Sequence, residues 1–392
     1  ALGVGEILLV NAIPWAFNEY VRNANFSQVN PRSWYENVKH GFTWDDNNFS
    51  TNMFAHPFHG NLYYNAGRSN GLNYWQSVPF AFGGSLIWEF LGETHPPAIN
   101  DWIHTSIGGI AIGESLYRMS STVLDNQATG SERIWREVGA AAMNPVRAFN
   151  RLVTGRIGKV YDNPADPWDH IPPHLSNILS TGVRVIQDEG RERTDEEGNV
   201  VNEGAQVGAF FEVDFQFGGP FEIDRKKPFD FFVWGLQINT KDKQAIGRWQ
   251  IRGSLTHWDL KRSEDVQHRI FLSQDYDYFN NNAYEFGGQS VSGVLVSGWQ
   301  LSEQWQIVTN LNATGTILGA VNFDGANLQD FPTQERLREY DFGPGIGAQL
   351  GGSMVRSRTR LLDLSYRVTW LWTVNGAVLT TEEGQVEDSA RH

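Results

Sequence analysis

The chain has no cysteine. A disulfide scaffold, thiolate metal ligands and a cysteine nucleophile are therefore excluded. Charge is also scarce. Asp, Glu, Lys and Arg make up 19% of the 392 residues, against roughly 25% in an ordinary soluble domain. Basic residues are the minority, and the net charge of −14 argues against a nucleic-acid partner, whose phosphates call for Lys and Arg. No apolar run approaches the roughly 20 residues that a membrane-crossing helix needs. The mean hydropathy of −0.40 fits a soluble protein. It fits a transmembrane barrel equally well, because barrel strands alternate apolar and polar residues. No signal-peptide pattern is visible, and Ala1-Leu2-Gly3 is readable as a processed terminus.

Aromatic residues and glycine are abundant. Aromatics are 13% of the chain, with 15 Trp and 24 Phe, and there are 40 Gly. Residues 1–51 read as an irregular, aromatic-rich segment in which the run Ile7–Val10 stops at Pro14. Residues 52–160 read as helical with breaks. Ser77 is placed to cap a helix through Phe90, and Asn100 or Asp101 a second one through about Val123. Gly108, Gly109, Ala111 and Gly113 give that second helix a surface that another backbone can approach closely. A third helix is expected over Ser131–Ala142, broken at Asn144-Pro145. The Pro- and Asp-rich stretch 161–173 reads as a linker.

From residue 174 to about 380 the period changes from 3.6 to 2. Val207, Ala209, Phe211 and Val213 alternate with Gly208, Phe210, Glu212 and Asp214. Leu362, Leu364, Tyr366 and Val368 alternate with Asp363, Ser365 and Arg367. About nine strands are expected, many of ten residues or more. Soluble strands average about 5–6 residues, whereas a tilted transmembrane strand needs about 9–11. Long polar connections at Asp188–Gly204 and Gly319–Glu339 contrast with short ones at Thr240–Ala245 and Ser302-Glu303, as in outer-membrane barrels. Trp234, Trp258, Tyr276, Tyr278, Trp299, Trp305, Trp370 and Trp372 are expected near strand ends as aromatic girdles. A polar tail, 381–392, follows. The expected fold is mostly β: an antiparallel transmembrane β-barrel of outer-membrane type, with an α-helical N-terminal region packed in or under it.

Within 52–118, ionisable side chains stand among residues that favour burial, which is costly unless they are paired. They are His56, His59, Arg68, Glu89, Glu93, Asp101, Glu114 and Arg118. The segments that carry them are His56-Pro57-Phe58-His59-Gly60, Gly84-Ser85-Leu86-Ile87-Trp88-Glu89, Asn100-Asp101 and Gly113-Glu114. In content and order these resemble a bacterial family known only as a domain of unknown function. The resemblance covers roughly residues 50–125, implies an envelope protein, and implies no particular reaction.

Two chemical readings compete for this constellation. His59, Glu89 and Asp101 are candidates for general acid/base catalysis on lipid or glycan in the envelope. His56, Arg68, Glu93, Glu114 and Arg118 form a structural polar cluster, with Arg68 and Arg118 placed to neutralise Glu89 and Glu114. Inward-facing Arg248, Arg252, Arg367, Glu212 and Asp214 would then bond to a helical plug. Two His with carboxylates suit Zn²⁺, but the order is not His-Glu-x-x-His and Pro57 disturbs the turn, so neither a metal nor another cofactor is assigned. Ser85 lacks a nucleophile elbow, and the acidic turn at Asp162, Asp166 and Asp169 lacks the spacing of a calcium loop. The expected function is an integral outer-membrane barrel with a structural or transport role. The alternatives are an envelope enzyme and a soluble periplasmic β-rich binding protein. The expected partner is outer-membrane lipid, nucleic acid is excluded, and no protein partner is indicated.

Overall fold

The computed structural model describes residues 2–44, 48–164, 172, 174–186, 192–194, 200–202, 206–240, 244–281, 284–323, 335–336, 340–357, 359–372, 374, 378–381 and 384–387. Among the described residues eight α-helices precede the sheet: α1 Leu2–Phe17, α2 Pro31–His40, α3 His56–Arg68, α4 Tyr74–Ile87, α5 Ile99–Ile103, α6 Gly109–Val123, α7 Gly130–Met143 and α8 Pro145–Val153. Wide π-helical turns at Thr51–Ala55, Trp88–Gly92 and His104–Gly108 join or extend several of them.

Several boundaries differ from the sequence expectation. The described residues of 1–51 are largely helical, and α1 runs through Pro14 to Phe17. The cap of α4 is Asn73, not Ser77. The Asn73 side chain accepts from the Gln76 N–H, and the Gln76 side chain accepts from the Asn73 N–H in return. Neither Asn100 nor Asp101 caps a helix, because both lie inside α5, whose preceding residue is Ala98. Asn144 does interrupt the chain as expected. Its side chain accepts from the Arg147 N–H and starts α8, with Pro145 in the first turn.

Nine strands form one antiparallel meander in chain order: β1 Leu175–Ile186, β2 Gln206–Phe217, β3 Phe232–Asn239, β4 Ile246–Arg262, β5 Val266–Asn280, β6 Tyr284–Gln300, β7 Trp305–Phe323, β8 Asp341–Arg356 and β9 Thr359–Leu371. Among the described residues β1 and β9 are the two edges. The sheet curls into a half-barrel. Arg367 on β9 reaches Asp277 on β5 at 2.6 and 2.9 Å, and Arg252 on β4 reaches Gln349 on β8 at 3.2 Å. Four strands lie about 19 Å apart in a flat sheet at roughly 4.8 Å per step. Only strong curvature towards this face brings those side chains together.

The middle of the concave face is polar, between an apolar cluster of Phe271, Val294 and Val296 towards one end and one of Phe279, Phe286 and Val321 towards the other. Arg248 bonds Glu212 and Asp214 at 3.0 and 2.7 Å, Arg252 pairs with Asp275 at 3.2 Å, and Gln250 donates to Asp277 at 2.8 Å. A cavity of about 600 Å³ opens on it, lined from both edges by Ser176 of β1 and Asp363 of β9. The other face is apolar. Where it is uncovered it carries Leu179, Val183, Leu350, Leu364, Tyr366 and Val368, all about half exposed or more.

The helical region meets the wall on this outer, apolar face. Phe49 packs on Tyr278 and Tyr340, Phe54 on Trp249, and Tyr74 on Phe229. The described helices therefore buttress the wall from outside, and the expected plug inside the concavity is corrected. The reason lies in the parity of the strands. The apolar and aromatic positions that match a helical layer, Trp249, Ile251, Tyr276 and Tyr278, alternate with the charged ones that match each other. Trp234, Tyr276 and Tyr278 are consequently buried instead of standing in an aromatic girdle, while Trp258, Trp370 and Trp372 are exposed. The alternation of β7 changes phase at one residue. Gln289 faces Leu318 and Ser290 faces Thr316, so Ile317 is an extra residue, and the wall changes phase there.

Candidate functional site

The polar residues of the helical region sort into two groups. The first surrounds Glu114, which is fully buried on α6. Arg68, from the last turn of α3, grips it with two N–H···O bonds of 2.7 and 3.2 Å. Arg118, one turn further along α6, bonds it at 2.9 Å, and the Tyr64 hydroxyl donates at 2.7 Å. Burial pulls the Glu114 carboxyl upward, but the two guanidinium groups outweigh it and hold it below the usual carboxylate range. Arg118 continues to the β2–β3 connection, bonding Asp230 at 3.1 Å and the Pro228 carbonyl at 2.8 Å. Phe229 stands between these two with φ of +60°, a rare conformation for a bulky side chain. Its ring fills the space left by Gly253, where a Cβ would lie 2.3 Å from it. Arg68, Glu114 and Arg118 thus work together, and they fasten the helices to the wall.

The second group is built on the π-helical turns. Such turns open the regular ladder and are frequent at functional sites. His56 directly follows Thr51–Ala55, Glu89 lies in Trp88–Gly92, and His104 starts His104–Gly108. His56 Nε2 stands 3.4 Å from Asp101 Oδ2, and Asp101 Oδ1 accepts from Asn100 at 2.8 Å. That carboxylate favours an imidazolium. Burial, with His59 and His104 nearby, works the other way and pushes His56 down to about 3, so the ring is neutral. His104 bonds the Gln289 side chain of β6 through Nδ1, and burial pushes it down to about 4.

The three residues proposed for catalysis are held by three different partners. His59 lies within reach of the Val10 carbonyl at 3.1 Å and packs on Tyr63 and Trp88. Glu89 accepts from the Ala98 N–H at 2.9 Å, and Asp101 faces His56. Tyr63 joins the first two: its ring lies tilted against His59, and burial, with the Glu89 charge adding to it, raises its phenol well above the ordinary range. Glu93 lies past the helix end in extended backbone, so it does not share a helix face with Glu89. Among the described residues no group of three or more His, Asp or Glu side chains is placed to hold a metal ion. The acidic turn falls largely outside the described residues, since only Asp162 of its three carboxylates is described.

Tight glycine contacts place both groups. A Cβ on Gly60 would lie 1.7 Å from the Thr105 carbonyl oxygen, and one on Gly109 would lie 2.4 Å from Gly60. The backbones of α3 and of the turn leading to α6 therefore touch. Sequence reasoning missed His104, Tyr64, Asp230 and Gln289. Only His104 offered a local signal, three residues after Asp101. The wall residues become partners through the fold alone.

What the arrangement can do follows from its bonds. The Glu114 group is saturated and suits a load-carrying tie between layers. The His56–Asp101 pair couples a neutral imidazole to a carboxylate, and Ser85 Oγ, Thr105 Oγ1 and Gln289 Nε2 are buried without a hydrogen-bond partner among the described residues. No curated protein matches the chain. Residues 41–146 carry a domain of unknown function (DUF3943), which spans the helices from the Thr43 region to the start of α8 and contains both polar groups.

Proposed function

We propose that the protein is an integral outer-membrane β-barrel protein with a structural or transport role, and that lipid is its surrounding partner. The single observation that carries this reading is the inverted wall. The enclosed face holds Arg248, Arg252, Arg367, Asp275 and Asp277, and the uncovered outer face holds Leu179, Val183, Leu364 and Tyr366. Water-soluble sheets do the opposite, whereas a transmembrane barrel has a polar interior and an apolar band outside. Strand lengths agree. Eight of the nine strands have 12–19 residues, enough for the roughly 9–11 that cross a bilayer.

Heat modification tests the reading. A detergent-extracted barrel migrates faster on a gel before boiling than after it, and floats with phosphatidylcholine vesicles in a density gradient. A protein that stays in aqueous buffer and shows one mobility throughout is a soluble β-rich protein instead.

A second reading, an envelope enzyme acting on lipid or glycan, is favoured by the contact between neutral His56 and Asp101. His56→Ala and Asp101→Asn abolish turnover of lipid or glycan substrates in that case while leaving heat-modifiable mobility unchanged.

A further inference from the structure

The helices repeat the inversion of the wall. On α1 the polar side chains point inward. Glu6 is 2% exposed and accepts from Asn70 and Asn150, and buried Asn11 accepts from the Tyr63 hydroxyl at 2.7 Å. Outward stand Val4, Leu8, Ile13 and Phe17, 53–67% exposed. On α8, Asn150 and Arg151 are buried while Leu152 and Val153 are exposed. On α7, Arg133 and Glu137 turn inward and pair, and Ile134 and Trp135 face out at 62% and 73%.

These three helices are neighbours. Asn150 of α8 bonds Glu6 of α1 at 3.2 Å, and Arg151 of α8 bonds Glu137 of α7 at 2.5 Å. Their outward sides therefore belong to one layer. An amphipathic helix in water turns its apolar stripe to the core. Here three adjacent helices turn most of their charged and amide groups inward, beside the buried Ile7, Ala140 and Val146, and set large apolar groups outward; the Glu132–Arg136 pair of α7 is the exposed exception among the described residues. The helical region also packs against the outer side of the wall, the side that a membrane barrel turns to lipid.

We infer that the outward faces of α1, α7 and α8 are seated in the hydrocarbon and interfacial zone of the bilayer, forming a lipid-facing collar on the barrel. This rests on the membrane-barrel reading above. The helices do not cross the membrane. None of the described helices is long and apolar enough to do so, and α1 with 16 residues measures about 24 Å against a hydrocarbon core of about 30 Å. They lie along the barrel as monotopic helices do, apolar side in lipid. Inward-turned Glu6, Glu137 and Arg151 are then screened from hydrocarbon by their own partners.

The absence of cysteine makes the test direct. Single variants Ile13→Cys, Trp135→Cys and Leu152→Cys in the helices, Val183→Cys and Tyr366→Cys in the wall, and Glu36→Cys as an exposed control are labelled with an environment-sensitive fluorophore. Each full-length protein is reconstituted into phosphatidylcholine vesicles with and without spin-labelled acyl chains. The collar predicts blue-shifted emission and strong acyl-chain quenching at the three helical sites and at the wall sites, with the control unquenched. Quenching at the wall but not at the helices overturns the collar and leaves the barrel reading standing, whether water or another protein covers those helices. Quenching at neither overturns both.

Discussion

At the scale of single residues, Glu114 sets the stakes. It satisfies two buried guanidinium groups and a phenol. Replacing it by Gln leaves Arg68 and Arg118 sharing a neutral partner. Breaking such a buried pair costs roughly 3–5 kcal/mol. A Glu114→Gln variant should therefore unfold at markedly lower denaturant concentration, and Asp230→Asn should reproduce part of that loss through Arg118. Histidine gives a pH dependence. His104 is pushed from 6.5 to about 4 by burial, so the unfolded chain binds the proton more readily than the folded one. Its contribution is complete above pH 6.5 and fades as the pH falls towards 4, by about 3 kcal/mol at about 1.4 kcal/mol per pH unit. His56, lowered to about 3, acts in the same direction. Denaturation midpoints measured from pH 8 to pH 4 should fall, and His104→Gln should flatten the slope.

At the scale of elements, the close approach of α3 to the His104–Gly108 turn is the critical joint. A methyl group on Gly60 would meet the Thr105 carbonyl at 1.7 Å, and backbone cannot give way as a flexible side chain can. Overpacking of this kind costs typically 1–3 kcal/mol, occasionally more. Gly60→Ala should sit at the upper end, with a comparable loss for Gly109→Ala, read by thermal unfolding. The sequence made this joint readable, because Gly108, Gly109 and Gly113 in a helical pattern already demand a near neighbour. It also made the strands readable. The alternations at 207–214 and 362–368 fall inside β2 and β9. The helix starts were harder. Ser77 and Asn73 are both good caps, and only the reciprocal bond from Gln76 decides between them. Arg68 and Arg118 were expected to serve two glutamates, yet both serve Glu114. Spacing along a helix reports which residues share a face, and says nothing of what a second helix brings to it. The outward apolar face of α1 was hidden for a plainer reason: the run Ile7–Val10 reads as stopping at Pro14 in an irregular segment, so no helix face is assigned to residues that α1 carries on to Phe17.

At the scale of the whole molecule, the curl depends on side chains that reach over the concavity. Arg367 and Asp277 form a two-bond clip between β9 and β5. Arg367→Ala should free β9 from the strands opposite. The expected result is a stability loss of about 2 kcal/mol, in keeping with hydrogen bonds to charged groups, together with faster proteolysis near residues 357–372. The double variant Arg367→Ala with Asp277→Ala should recover part of the loss, since it removes the stranded carboxylate as well. Inversion of the wall was legible in the alternation of β2 and β9, but its direction was not. Both a plug inside and a buttress outside fit a strand with one charged and one aromatic side. Contacts four strands apart decide between them, and no local pattern encodes those.

The odd number of strands described in the wall has its own corollary. In a meander each strand reverses the last, so β1 and β9, eight reversals apart, rise in the same direction. Every joint between them is antiparallel, with bonds square to the chain. A direct join of β1 to β9 would be the one parallel seam, with slanted and slightly weaker bonds. Such a cylinder would have a built-in grain: one lengthwise line along which it opens first when pulled or warmed.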